Sequence, residues 1–325
     1  MSAPATKGKV RGKRSGSSRA KAPRSLFDHE LLVVTGKGGV GKTTIAAALG
    51  VAAARRGLRT IVVEVAARDD VTRALGVEDS RRDREVELAF GVHHTSIDPD
   101  DALREYLTDQ FPAPLAELLS ASRTFGYLAA ATPGLREMLT IGKVWELAQQ
   151  TRRRDRDKPY DLVILDAPAT GHGLAILTAP RTFALAARLG RIERHAAIIG
   201  ELVSDPRRTA VVAVARPEEL PVNETLALER RLEDEVGLQL ALAVANRVTP
   251  NRFSAPDARA LQELAPSVVA LAARRRHARA RAQRAQVARL RRGLDCPVVS
   301  LHDLLHPAID AHAIRSLAGE LGRVL

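Results

Sequence analysis

The sequence predicts an α/β fold, a mostly parallel sheet sandwiched between helices. Three observations carry this expectation. From residue 26 onward, short apolar runs alternate with longer helical patterns, the signature of βαβ units. Several of the runs are apolar at nearly every position, as strands covered on both faces require. The first run ends in a glycine-dense turn that leads straight into an alanine-rich helix.

Taken in order, residues 1–25 form a tail. They carry eight Lys and Arg, no acid and no apolar period, and so read as a disordered basic segment. They contain no aromatic residue for base stacking, so any contact with nucleic acid or anionic lipid would rest on charge alone. No apolar stretch follows the basic residues, which predicts no secretory signal. The remainder, 26–325, reads as one α/β unit. Its candidate strands are 31–35, 60–65, 94–97, 162–165, 209–215, 240–245 and 298–301, with a helix over 45–56 after the first. Two further spans look helical and lie outside the alternation. One is about 100–150, broken near 111–114 and 133–134; the other covers about 172–205, its helical run placed at 182–204 after a loop. Together they predict a helical subdomain beside the sheet. Residues 152–158 read as a charged loop. At 271–293, Ala273, Ala280, Val287 and Leu290, continued by Leu294, recur near a helical period among nine arginines, which predicts a basic surface helix. Such a helix suits solvent, an acidic partner or a membrane surface.

Composition bounds the function. Of 325 residues 45% are hydrophobic, enough for a real core, and the net charge is +12. That charge is concentrated: 1–25 holds +8, 271–293 holds +9, and the rest sums to −5. The excess therefore does not by itself define a nucleic-acid binder. The single cysteine, Cys296, excludes an internal disulfide framework and any multi-cysteine zinc site, and it suits a reducing, cytoplasmic location.

The turn after the first strand reads Gly36-Lys37-Gly38-Gly39-Val40-Gly41-Lys42-Thr43-Thr44, which satisfies G-x-x-x-x-G-K-[ST] between a strand and a helix. Its glycines let backbone N–H groups wrap phosphate oxygens, and the helix N-terminus adds partial positive charge. Lys42 is placed to reach the β- and γ-phosphates and Thr43 to ligate Mg²⁺. The fold class sharpens to a three-layer P-loop NTPase. The chain has 42 Arg and only eight Lys, two of them in this loop, and Lys37 is one that a plain phosphate loop does not require. A second motif, Tyr160-Asp161-Leu162-Val163-Ile164-Leu165-Asp166, is a strand ending in an acid. Asp166 is the candidate Mg²⁺ carboxylate, bound directly or through water; the alternative is an Asp that caps the next turn.

G-K-G-G-V-G-K-T-T resembles the deviant Walker A loop of the group that includes MinD, ParA, the nitrogenase iron protein and the arsenite-pump ATPases. The stretch Asp166-Ala167-Pro168-Ala169-Thr170-Gly171-His172-Gly173-Leu174 narrows this. It resembles the switch loop of the ArsA-like family, which comprises arsenite-pump (anion-transporting) and tail-anchored-protein targeting ATPases. Asp98-Pro99 with Ala102-Leu103 and Glu105-Tyr106, Pro133-Gly134 with Glu137, and Pro217-Glu218 with Glu224-Thr225 are similar to further segments of that family. The resemblance implies ATP and Mg²⁺ as cofactors and catalytic roles for Lys37, Lys42 and Asp166. It implies that Lys37 crosses a dimer interface, that Gly171 and His172 belong to a γ-phosphate switch, and that Asn246 and Arg247 sit at the adenine. The implied partners are a second copy or a paralogous ATPase, together with an unidentified protein client.

The chain departs from this family in two places. Ala66 stands where the family has a water-orienting Asp, with Glu64, Asp69 and Asp70 nearby as substitutes. This predicts nucleotide binding with slow hydrolysis, or activity completed by a paralogous subunit. The zinc-clamp Cys-x-x-Cys, the arsenite-binding cysteines and a Met-rich client groove are all absent from the sequence. Two alternatives stay open: a MinD- or ParA-like positioning ATPase on a membrane or DNA surface, and a non-catalytic nucleotide-binding subunit of a heterodimer.

Overall fold

The computed structural model describes residues 25–65, 68–76, 85–122, 131–149, 159–187, 190–265, 267–304 and 308–325. The basic tail up to residue 24, Ala66 and the charged stretch 152–158 lie outside the described residues.

Eight strands form one sheet: β1 Leu31–Thr35, β2 Thr60–Val65, β3 Val86–Glu87, β4 Val92–Ile97, β5 Leu162–Asp166, β6 Thr209–Ala215, β7 Leu240–Val248 and β8 Val298–His302. Their spatial order is β3-β4-β2-β5-β1-β6-β7-β8. Every neighbouring pair is parallel except β3 with β4. The predicted strands are present, several of them a residue or two longer. The two-residue β3 was not predicted.

Eleven α-helices are described: α1 Lys42–Ala54, α2 Asp70–Ala74, α3 Pro99–Gln110, α4 Ala113–Ala121, α5 Leu135–Leu147, α6 Thr170–Ala187, α7 Arg191–Ser204, α8 Glu219–Val236, α9 Ala255–Glu263, α10 Val268–Gly293 and α11 Ala311–Val324. Strand side chains alternate between two cores, as the pleat dictates. Leu32, Val34, Ile164, Val212 and Val244 point toward α1 and α11, where Ile45, Leu49, Ile314 and Leu317 meet them. Leu31, Val33, Leu165, Val211 and Ala243 point to the other face, packed by Ile141, Leu177, Leu202, Leu232 and Leu290 from α5, α6, α7, α8 and α10. Strands that are buried from end to end, such as β1 and β5, explain why their sequences do not alternate.

Two sequence expectations are corrected. A single helical run over 182–204 is replaced by α6, which starts at Thr170, and α7. The loop expected over 166–174 accordingly shrinks to residues 167–169. The reason is packing: a side chain at Gly173 would lie 2.7 Å from Thr35 Oγ1 and 3.2 Å from the Pro168 carbonyl. Glycine there allows the first turn of α6 to close against β1, so it is a close-approach residue and not a hinge within a loop.

Candidate nucleotide site

The carboxyl ends of β1, β5, β6 and β7 converge, and the phosphate loop hangs between them. In an open parallel sheet this edge is where ligands bind. The loop is built into the sheet by contact. Gly36 has φ +148, and a Cβ there would fall 2.1 Å from the Val214 carbonyl of β6. Gly41, at φ +96, would collide with the Asn246 side chain at 2.5 Å. Asn246 is itself buried at the end of β7. Its Nδ2 donates to the Val40 carbonyl at 2.9 Å, and its Oδ1 accepts from the Arg247 N–H at 2.9 Å. The asparagine thus braces the loop through a contact between residues 206 apart in sequence. Arg247 follows in the left-handed region at φ 57, with Nε 3.6 Å from Asp303 Oδ1.

The two loop lysines differ in setting. Lys42 opens α1 and is buried, its Nζ donating to the Lys37 carbonyl at 3.1 Å. Burial lowers its pKa, while the Asp166 carboxylate nearby pulls it back up. Lys37 is about one-third exposed, and its ammonium pairs with Glu224 Oε1 of α8 at 2.5 Å. That partner was not identified from the sequence.

Thr43 Oγ1 donates to Asp166 Oδ2 at 2.5 Å, so the predicted metal pair does meet. Asp166 is 4% exposed, and its Oδ1 has no hydrogen-bond partner among the described residues. Burial raises its pKa to about 6; the Thr43 hydrogen bond and Lys42 oppose the rise, and Glu64 adds to it. A buried carboxylate with one oxygen satisfied and the other bare costs free energy unless a cation is supplied. The residues therefore fit a hard, oxygen-seeking divalent ion held by Thr43 and Asp166. Other buried polar atoms at the same edge also lack a hydrogen-bond partner among the described residues: Thr35 Oγ1 on β1, Ser96 Oγ on β4 and Arg216 Nε just after β6.

Of the acids near Ala66, Glu64 is fully buried and committed. Its Oε1 accepts from the Asp70 N–H at 3.2 Å, and its Oε2 from the Val71 N–H at 3.0 Å. His94 Nε2 lies 2.9 Å from the same Oε2. Glu64 therefore caps α2 and pairs with β4, while Asp70 is held by Arg73. Sequence reasoning had no signal for the His94 contact, which depends on the register that sets β2 beside β4. Gly171 and His172 lie in the first turn of α6; the His172 ring is 78% exposed, with Nδ1 3.9 Å from Glu137 Oε1 on α5. A glycine-rich strand-to-helix loop, a lysine and a hydroxyl at the helix start, and an acid ending the neighbouring strand define a P-loop nucleotide-binding fold.

Comparison with known proteins then places the chain within that class. The anion-transporting ATPase family model matches residues 29–204. The chain is 32% identical to the ATPase BagA of Mycobacterium tuberculosis over 254 residues, covering 75% of this chain and 72% of that protein. It is 29% identical to the arsenical pump-driving ATPase of Acidiphilium multivorum, over 70% of this chain and 41% of that one. It is 28% identical to a putative arsenical pump-driving ATPase of Halobacterium salinarum, over 68% of this chain and 36% of that one. The chain belongs to the anion-transporting (ArsA-like) ATPase family.

Proposed function

We propose that this protein is an ATP-binding, ATP-hydrolysing molecular switch of the ArsA-like family that works as a dimer and turns over slowly. The observation that carries the ATPase reading is the Oδ1 of buried Asp166, without a partner among the described residues, beside Thr43 at the end of the glycine-rich loop. Mg²⁺ bound at Thr43 and Asp166 would neutralise charge on the β- and γ-phosphates. Lys42 leaves the Lys37 carbonyl to reach those phosphates, and the loop N–H groups hold them in place. Burial around Lys42 and Asp166 strengthens each charge interaction made there. Asn246 keeps the loop in shape through Val40, and its remaining N–H and lone pair would serve the base.

Slow hydrolysis follows from Ala66, which has no group to orient water, and from the commitment of Glu64 to α2 and His94. On this reading Lys37 parts from Glu224 to meet the phosphates of a partner subunit, a second copy or a paralogue. Binding of a fluorescent ATP analogue with and without Mg²⁺, together with sedimentation of the chain with ATP, tests the proposal. Mg²⁺-dependent binding that Lys42→Ala removes, a nucleotide-driven shift to a dimer and weak turnover are expected. Binding without turnover or self-association would assign the chain instead as one subunit of a heterodimer.

A further inference from the structure

Away from the nucleotide site, α9 and α10 form a hairpin whose far end is apolar and whose long arm is basic. α10 runs 26 residues, about 39 Å at the usual rise. Its C-terminal half is seated, with Val287 and Leu290 in the core beneath the sheet. Its N-terminal end is different. Val268 is 87% exposed, Val269 78%, Leu264 52% and Leu271 49%. Four large apolar side chains in eight positions at one end of a protein are a patch that water does not favour.

The backbone at this end is prepared for a dry environment. Arg274 Nε donates to the Leu261 carbonyl at 2.7 Å, and its Nη2 to the Gln262 and Leu264 carbonyls at 3.1 and 2.6 Å. These are carbonyls at the C-terminus of α9, which a helix end otherwise leaves to water. Ser267 Oγ accepts from the Ala270 N–H at 3.1 Å and caps α10.

The charges on α10 have one sign. α10 holds nine arginines and no acid; Asp257 and Glu263, both on α9, are the hairpin's acids. Val268, Leu271, Arg275 and Arg279 follow one helix face, and both arginines are exposed. Arg275 lies about 10 Å along the axis from Val268. An apolar anchor enters the headgroup boundary to about 5–10 Å, so the first exposed arginine falls at phosphate depth when the tip is inserted. A nucleic acid would use the arginines but would leave the four apolar side chains in water.

We propose that the α9–α10 hairpin is a tip-first docking device for an anionic membrane surface: Leu264, Val268, Val269 and Leu271 insert, and Arg275 and Arg279 contact lipid phosphates. This is independent of the nucleotide chemistry. The test is co-sedimentation of the full chain with vesicles of phosphatidylcholine, pure or mixed with phosphatidylglycerol. All variants keep the same basic tail, so its contribution is constant. Binding to the mixed vesicles is expected. Val268→Asp with Val269→Asp should abolish it, and Arg275→Gln with Arg279→Gln should weaken it roughly thirtyfold. Arg289→Gln with Arg292→Gln, at the seated end, should change it less than about threefold, because surface attraction fades within a Debye length. Three outcomes overturn the proposal. The valine variant binds vesicles like the parent; the parent binds duplex DNA more tightly than vesicles at the same salt; or the valine variant alters self-association instead, which would make the patch a contact between copies.

Discussion

Asp166 and Glu64 are both buried carboxylates near the carboxyl edge of the sheet, on the adjacent strands β5 and β2. Glu64 has both oxygens occupied, by two N–H groups of α2 and by His94. Asp166 has one oxygen on Thr43 and the other without a partner among the described residues. Water would have satisfied either acid at no cost, so the difference lies in what each burial achieves. Glu64 ties three elements together. Asp166 stores an electrostatic debt that a ligand can settle.

That contrast can be broken by experiment. Asp166→Asn should lower Mg²⁺-dependent ATP turnover by two to three orders of magnitude, the usual effect of removing one well-placed charge or donor. The same substitution should not weaken the free fold, because it removes an unfavourable buried charge and keeps an acceptor for Thr43. Melting curves without ligand check this; a large drop in midpoint would show Asp166 to be structural after all. Glu64→Ala should do the reverse. It orphans His94 and two N–H groups, a loss of about 3–5 kcal/mol, visible as a lower melting midpoint even in buffer alone.

A pH series sharpens the comparison further. The pKa of Asp166 is raised to about 6 in the folded chain, from an ordinary value of 3.8. For a group whose folded pKa is raised, the stabilising contribution is present below the unfolded value and is lost as pH climbs through the folded one. Ligand-free stability should therefore decline between about pH 4 and 6 in a way that Asp166→Asn removes. The apparent Mg²⁺ affinity should move oppositely, rising over the same window as the competing proton leaves. The smallest effect is expected at Glu224→Gln. The Lys37–Glu224 pair is about one-third exposed, so its loss should leave stability almost unchanged. If Lys37 must leave Glu224 to act, the variant should dimerise with ATP at concentrations a few-fold lower, measured by sedimentation.

The sequence made much of this legible, for identifiable reasons. β1, β5 and the loop over 36–44 are local patterns: an apolar run, a glycine spacing, an acid at a strand end. The meeting of Thr43 with Asp166, the candidate metal pair, could be inferred because each half has its own motif. What escaped were relations between distant positions. Asn246 bracing Val40, Lys37 held by Glu224, and Glu64 joined to His94 all depend on strand order and register, and none has a local signature. The start of α6 was misjudged because Gly171 and Gly173 look like loop residues until Thr35 is seen beside Gly173. The two-residue β3 is too short for any periodicity to mark it.

One feature of the architecture also governs how the protein is made. The apolar side of α1, the helix that opens with Lys42, is covered by Ile314, Leu317, Ala318 and Leu321 of α11. The helix that presents the phosphate loop is synthesised early, and its cover is synthesised only after all the described strands. A nascent or truncated chain ending near residue 310 would still hold α1 against the sheet but with the side that faces α11 uncovered. Only a chain translated through α11 can shelter that side of the helix carrying the phosphate loop.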